Sequence, residues 1–225
     1  MTEFEMSEAW RIFAGMKDRK LLNSELGRLD AKAYRAAEPS GICLVLDNIR
    51  SAYNVGSIFR SADAFHTDRI VLCGICAVPP SAEIHKTALG AEDVVPWERC
   101  AETLEAVAAL RAEGYTVVAV EQTENSAKLT PGAGAPFETH ATLGGVRGGT
   151  VSFANGGAGR SEAVEKGAPA PGEAKYAFVF GNEVDGVQQS VVDACDFAIE
   201  IPQHGTKHSL NVAVAAGIVL FAFSR

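Results

Sequence analysis

The sequence has no apolar run of the roughly 18 to 20 residues that a membrane-spanning helix needs. Its longest candidate, Val212 to Phe223, is too short and contains Gly217. Met1 to Trp10 lacks the basic and apolar runs of a secretory signal. No membrane partner is expected. Basic charge is also scarce. The chain carries 20 Lys and Arg against 28 Asp and Glu, a net charge of -8. That balance excludes coating nucleic acid by bulk charge and leaves only a localised basic patch as a possibility. Cysteines number five, an odd count scattered mostly within apolar runs, which suits a reducing cytoplasm. Cys73-Gly-Ile-Cys76 has CxxC spacing but no second such pair, so a zinc site is not expected. The motif ends a strand-like run and reads as buried thiols. A thiol oxidoreductase would need a strongly depressed thiolate pKa there.

What is present is an ordinary globular composition, 47% apolar and 21% charged over 225 residues. That is enough for one large α/β domain or two small ones. Such a chain buries roughly 70% of its unfolded surface and needs no disulfide or metal to fold.

Residues 1–38 read as a helical N-terminal extension, with Trp10, Phe13, Leu21, Leu22, Leu26 and Leu29 near helical spacing. Its stretch from Ala9 to Arg35 is locally basic, which suits either a solvated helix face or an RNA-facing arm. Pro39-Ser40-Gly41 breaks that helix. Short apolar runs follow at Ile42–Leu46, Arg69–Cys73, Tyr115–Val120, Tyr176–Phe180 and Phe197–Ile201, each typical of a buried parallel strand. Helical patterns alternate with them at Asn54–Phe65, 81–90, Cys100–Glu113, Val187–Ala194 and about Ser209–Phe223. The alternation implies an α/β domain over 39–225, a parallel sheet with helices on both faces. Function in such sheets gathers at the carboxyl ends of the strands, here after residues 46, 180 and 201. Pro131 to Ala174 does not fit this pattern. It holds 11 of the 22 glycines and reads as a mobile Gly/Pro-rich insertion at about 131–174, with a short strand expected at Thr150–Phe153.

Three segments carry chemistry. Asp47 to Ala62 follows a buried strand and opens a helix. Asn54 suits its N-cap and Gly56 keeps the first turn open. Free N–H groups there suit an anion. Arg60 lies about 140° around the helix from the apolar Val55 and projects outward at the strand-end side of the sheet. The bland alternative is a capped helix with a solvated arginine. Phe180-Gly181-Asn182-Glu183-Val184-Asp185-Gly186-Val187 is a second strand-to-helix turn. Val187-Gln188 replaces the Lys-Ser/Thr of a phosphate loop, and the spacing is not GxGxxG, so both nucleotide fingerprints fail. The third segment runs from Ile201-Pro202 through His204 and His208 to Ser209-Leu210-Asn211-Val212. Ser209 is expected to cap an apolar helix, and Asn211 is out of place inside it unless its amide has a partner. The two histidines have no third ligand nearby, so no metal is expected. A helix this apolar must be buried in the core or under another subunit.

Asn54-Val55-Gly56-Ser57-Ile58-Phe59-Arg60, Gly181 to Gly186, and Ile201-Pro202 through Ser209-Leu210-Asn211-Val212 together resemble the three motifs of the SpoU-type RNA 2'-O-ribose methyltransferases of the SPOUT superfamily. The resemblance covers roughly residues 42–122 and 176–225. It implies a SPOUT-like fold with a C-terminal deep trefoil knot, a device otherwise essentially absent from proteins. It also implies S-adenosyl-L-methionine as cofactor, tRNA or rRNA as partner, and a homodimer through the C-terminal helix. By resemblance, Arg60, Asn54, Glu183, Ser209 and Asn211 form the catalytic polar set, and the backbone of Gly181, Ile201 and Leu210 holds the cofactor. Arg60 would bind the phosphate beside the target ribose and stabilise developing alkoxide charge. Glu183 would orient Arg60 or Asn54.

Gln203 departs from the methionine common at that position in the family, and the insertion is not a common family feature. Arg11, Lys17, Arg50, Arg60 and Lys207 are the candidates for a local RNA-binding patch. A non-catalytic RNA-binding protein on the same fold is the competing reading.

Overall fold

Residues 19–129, 137–138 and 175–224 are described by the structure, a computed structural model of the chain. The chain divides into two compact units, Met1–Ala36 and Ala37–Arg225.

The described part of the first unit is not one continuous helix. It holds a 3-10 turn, Asn23–Glu25, and a short helix α1, Ala31–Ala36. Two local devices impose the break. Glu25 turns its carboxylate back onto the Leu22 N–H (2.7 Å) and the Arg19 guanidinium. Gly27 sits at φ +61°, outside helical space, and Asp30 starts a new helix by accepting from the N–H groups of Lys32 and Ala33. The part of the expected helix before residue 19 lies outside the described residues.

In the second unit the strands are β1 (Ile42–Asp47), β2 (Arg69–Cys73), β3 (Trp97–Cys100), β4 (Tyr115–Val120), β5 (Ala127–Leu129), β6 (Phe137–Glu138), β7 (Lys175–Phe180) and β8 (Phe197–Glu200). The helices are α2 (Ala52–Ala64), α3 (Ala82–Ala88), α4 (Thr103–Ala112), α5 (Gln189–Ala194) and α6 (Val212–Phe223). The strands form one sheet in the order β3-β2-β1-β7-β4-β8-β5-β6. Seven are parallel, and β6 runs antiparallel to β5. β1 is central, with Leu46 in register with Leu72 on one side and Phe180 on the other. All six β1 residues are buried, as a strand covered on both faces requires.

Alternation along the strands divides the core in two. Cys43, Val45, Val71, Val117, Ala177 and Val179 face α4 and α5, whose Ala106, Val107, Leu110 and Val191 complete that cluster. On the other face α6 lies against β7, where the Phe223 ring meets Phe178 at 4.6 Å and Tyr176 at 5.3 Å, and α6 packs on α2. Val55, Ile58, Phe59 and Ala62 form the buried stripe of α2.

The five strands expected from apolar runs within the described residues are present, and so are the helices of this unit, with shifted ends. Cys100 belongs to β3 rather than to α4, which starts at Thr103. The strand Trp97–Cys100 has no apolar run because it lies at the sheet edge, with Glu98 paired to Arg69. β6 falls inside the expected insertion and pairs with β5 through Leu129 and Phe137. The strand expected at Thr150–Phe153 lies outside the described residues.

The CxxC sulfurs are structural. Cys76 donates from Sγ to the Leu46 carbonyl (3.0 Å) and accepts from the Ile49 N–H (3.0 Å), which fixes the turn after β1. Burial pushes the Cys73 thiol up to about 12 and the Cys76 thiol up to about 11, the opposite of what redox chemistry needs. All five cysteines are free.

Candidate active site

β1 delivers the first motif. Its last residue, Asp47, is buried and accepts from Thr103 Oγ1 (2.6 Å) and Asn48 Nδ2 (2.8 Å). Asn48 takes φ +58°, and its Oδ1 accepts from the Ile75 N–H, so the chain turns sharply before α2 begins. The helix starts two residues earlier than the motif suggested. Ser51, not Asn54, is the N-cap, and its Oγ accepts from the Asn54 N–H at 3.3 Å. This frees the Asn54 carboxamide from capping.

Gly56 has a different role from the expected open turn. A Cβ there would stand 2.2 Å from Thr87 Oγ1 and 2.4 Å from the Ile84 carbonyl oxygen. Its missing side chain lets α3 lie directly on α2.

β7 delivers the second motif. Gly181 to Gly186 is a closed loop rather than the start of a helix, since α5 begins only at Gln189. Asn182 pairs with Gly186 as an isolated antiparallel bridge, and its Oδ1 accepts from the N–H groups of Val184 and Asp185 at 2.9 Å each. A Cβ on Gly181 would fall 1.9 Å from the Gly186 carbonyl carbon. Gly186 sits at φ +67°, and a Cβ there would meet Glu121 Oε2 at 2.3 Å. Glu121, at the end of β4, accepts the Val187 N–H on that same oxygen (2.9 Å) and the Gln122 N–H on the other (2.8 Å). Sequence reasoning missed Glu121. Its position directly after an apolar strand was the available signal.

β8 delivers the third motif. Ile201 and Gly181 are half-buried, and Ser209, Leu210 and Asn211 are exposed. α6 begins at Val212, and its N-cap is Asn211, not Ser209. Asn211 Oδ1 accepts from the N–H groups of Ala213 (2.9 Å) and Val214 (3.4 Å). Among the described residues, the His208 carbonyl is the one main-chain group between 202 and 210 with a hydrogen-bond partner, Gln122 Nε2 at 2.9 Å.

The three motifs meet in one chain of hydrogen bonds. Asn211 Nδ2 donates to Asn54 Oδ1 (3.0 Å), and Asn54 Nδ2 donates to Glu183 Oε1. Three of the five residues expected in the polar set are thus joined. Ser209 and Arg60 are not. Arg60 stands six residues beyond Asn54, on the order of 9 Å further along the axis and so away from the strand ends. It is exposed and lines a separate depression with Ser57, Ser61, Phe65, Lys86 and Thr87. Among the described residues Glu183 therefore orients Asn54 and makes no bond to Arg60.

Residues 41–221 match the SpoU rRNA Methylase family. A 23S rRNA (guanosine-2'-O-)-methyltransferase of Nitrosomonas europaea is 31% identical over 184 residues, 82% of this chain and 55% of its own length. The AdoMet-bound rRNA methyltransferase of Sinorhizobium meliloti superposes with a TM-score of 0.59 at 24% identity, over 84% of this chain and 59% of that one. The TrmH/SpoU tRNA modifying enzyme of A. aeolicus gives 0.60 at 20% identity, over 86% and 80%. Both structures share the fold. The chain spans little more than half the length of the first two of these relatives.

Proposed function

Because the chain belongs to the SpoU rRNA methylase family, we propose that it transfers a methyl group from S-adenosyl-L-methionine to a ribose 2'-hydroxyl of tRNA or rRNA. The observation that carries this reading is the Glu183–Asn54–Asn211 link, which joins all three motif segments. The names of the relatives, a 23S rRNA 2'-O-methyltransferase and an AdoMet-bound rRNA methyltransferase, agree with it.

The residues at the ends of β4, β7 and β8 fit the cofactor. Among the described residues, most main-chain donors and acceptors of the loop 202–210 have no protein partner, and the adenine and ribose of the cofactor require such groups. Gly181, Ile201 and Leu210 would hold it by their backbone. The bound cofactor supplies a methyl group on a cationic sulfur. The chain's own task is to aim a hydroxyl along the line of displacement, where positioning dominates the rate. Asn54, fixed from both sides, and Ser209 would orient the ribose. Arg60 would hold the adjoining phosphate and stabilise the developing alkoxide. A guanidinium keeps its proton in proteins and so binds an oxyanion far better than it takes a proton.

The finer features of the fold belong to the same reading. A trefoil knot is supported by the path after β8, where His208 is bonded by Gln122 beyond β4 and Asn211 bonds Asn54 beyond β1, before α6 packs on α2 and β7. A homodimer through α6 is supported by its exposed apolar stripe, Val214, Ile218 and Phe221, the last 75% exposed. The five free thiols suit a reducing cytoplasm. Among the described residues no helix is long and apolar enough to cross a membrane. We retain the division into an extension, 1–38, and a methyltransferase domain, 39–225, with an insertion at about 131–174.

The test is transfer of labelled methyl from S-adenosylmethionine to purified tRNA and rRNA, with wild type beside Arg60→Ala and nucleoside analysis of the product. A 2'-O-methyl nucleoside that disappears in the variant supports the reading. Cofactor binding without transfer, on RNA that binds, supports a non-catalytic RNA-binding protein instead. Absence of both transfer and cofactor binding overturns it.

A further inference from the structure

The outer surface of α2 and α3 carries a depression of about 440 Å³ lined by Ser57, Arg60, Ser61, Phe65, Lys86 and Thr87. Three hydroxyls and two cations look at first like five donors for an anion. The hydroxyl protons are already committed. Ser57 Oγ donates to the Tyr53 carbonyl (2.8 Å), Ser61 Oγ to the Ser57 carbonyl (3.2 Å) and Thr87 Oγ1 to the Tyr53 carbonyl (3.0 Å). The donors left for a ligand are the guanidinium of Arg60 and the ammonium of Lys86. Both side chains are exposed.

Two features hold Lys86 in place. Gly56 lets α3 settle on α2, because any Cβ there would collide with Thr87 and Ile84. The Lys86 ammonium lies 5.7 Å from the centre of the Tyr53 ring, within cation–π range. In a protein of net charge -8, two cations facing one depression are a local exception to the overall field.

We propose that Lys86 is a phosphate-binding residue of the RNA site, gripping the same phosphodiester as Arg60, with Tyr53 as the positioning residue that holds its ammonium. This rests on the RNA-methylating reading above and extends the site from one cation to two. Arg60 offers a planar fork and Lys86 a point charge, a pairing that clamps a phosphate without reading any base.

The test is binding of rRNA and of bulk tRNA, followed by fluorescence anisotropy across 50 to 300 mM KCl, for wild type, Lys86→Ala, Lys86→Arg, Tyr53→Phe and Tyr53→Leu. Each lost phosphate contact should flatten the plot of log affinity against log salt by about 0.7 to 0.9. Because Arg60 still neutralises the shared phosphate, Lys86→Ala should lower affinity several-fold at 100 mM KCl with little change of slope, and the full flattening should appear when Arg60→Ala is added. Lys86→Arg should restore the affinity. Tyr53→Phe should match wild type, and Tyr53→Leu should fall partway to Lys86→Ala. Because both cations serve one phosphate, Arg60→Ala with Lys86→Ala should lose less affinity than the product of the two single losses. Superimposable salt lines for wild type and Lys86→Ala overturn this inference and leave the methyltransferase reading standing. Wild type binding neither RNA overturns both.

Discussion

The carboxamide of Asn211 donates to the carboxamide of Asn54 across 157 positions of sequence, at 3.0 Å. Asn211 does two separable things. Its oxygen caps α6 and its nitrogen fixes Asn54. Asn211→Asp keeps the capping oxygen and removes the donor. An amide flip at Asn54 would satisfy the new carboxylate only by turning its own oxygen toward Glu183. We expect Asn211→Asp to keep its melting temperature within a few degrees while kcat falls on the order of 10²-fold, the cost of a misplaced reacting group. Asn211→Ala should lose both, with about 1 kcal/mol from the cap. Calorimetry beside methyl-transfer kinetics separates the two roles.

Gly181→Ala should be the most damaging single methyl in the second motif. The added carbon would overlap the Gly186 backbone, which has no free side chain to yield. The loop must open, and cofactor affinity should fall at least tenfold by calorimetric titration. Glu121→Ala removes the acceptor for the Val187 and Gln122 N–H groups and should cost about 1.5–3 kcal/mol in urea unfolding.

Gly56→Ala tests the seating of α3. The Cβ would press on Thr87 Oγ1 and the Ile84 carbonyl, and relief requires moving a backbone. The expected cost is about 1–3 kcal/mol, read as a lower denaturation midpoint with an unchanged slope. Asp63→Ala, on the exposed side of the same helix, should leave the midpoint within about 0.5 kcal/mol.

The buried thiols set an alkaline limit. Desolvation raises the thiols of Cys73 and Cys195 to about 12 and that of Cys76 to about 11, from an ordinary 9.0. Below pH 9 both folded and unfolded chains hold these protons, so the thiols add no pH dependence. Above pH 9 the unfolded chain releases them first, so stability falls as pH rises toward 11 to 12. Urea midpoints at pH 8, 9 and 10 should be flat and then decline. Iodoacetamide at pH 8 should label Cys73 and Cys76 only after denaturant is added. Rapid labelling of the native protein contradicts the burial.

Phe221→Asp places a charge in the exposed stripe of α6. If that stripe is the subunit interface, the variant should sediment as a monomer where wild type sediments as a dimer. A variant that remains dimeric assigns the interface to another surface.

The strands of the second unit were legible because burial on both faces writes them as continuous apolar runs, as in Ile42–Leu46. Trp97–Cys100 was not, since an edge strand needs no such run. The motif residues were legible as a set, but their partners were not. Helix ends move by two or three residues according to which side chain captures a free N–H. Ser51 and Asn211 capture them here, in place of Asn54 and Ser209. Periodicity places Arg60 on an outward face and says nothing of Lys86 beside it, because that contact depends on two helices meeting at Gly56. Glu121 offered only its place directly after an apolar strand, as its partner Val187 lies 66 positions away.

The strand order also dictates a timetable for synthesis. β4 pairs only with β7 and β8, both made after it, while β1, β2 and β3 can assemble as soon as they leave the ribosome. At 5 to 20 residues per second, the chain from Val120 to Phe180 takes on the order of 3 to 12 s to emerge. Throughout that interval the nascent protein displays Tyr115–Val120 with neither edge paired and β1 with one edge open. Those seconds are the window in which a ribosome-bound chaperone has an apolar strand to hold, and in which a stalled or truncated chain would aggregate.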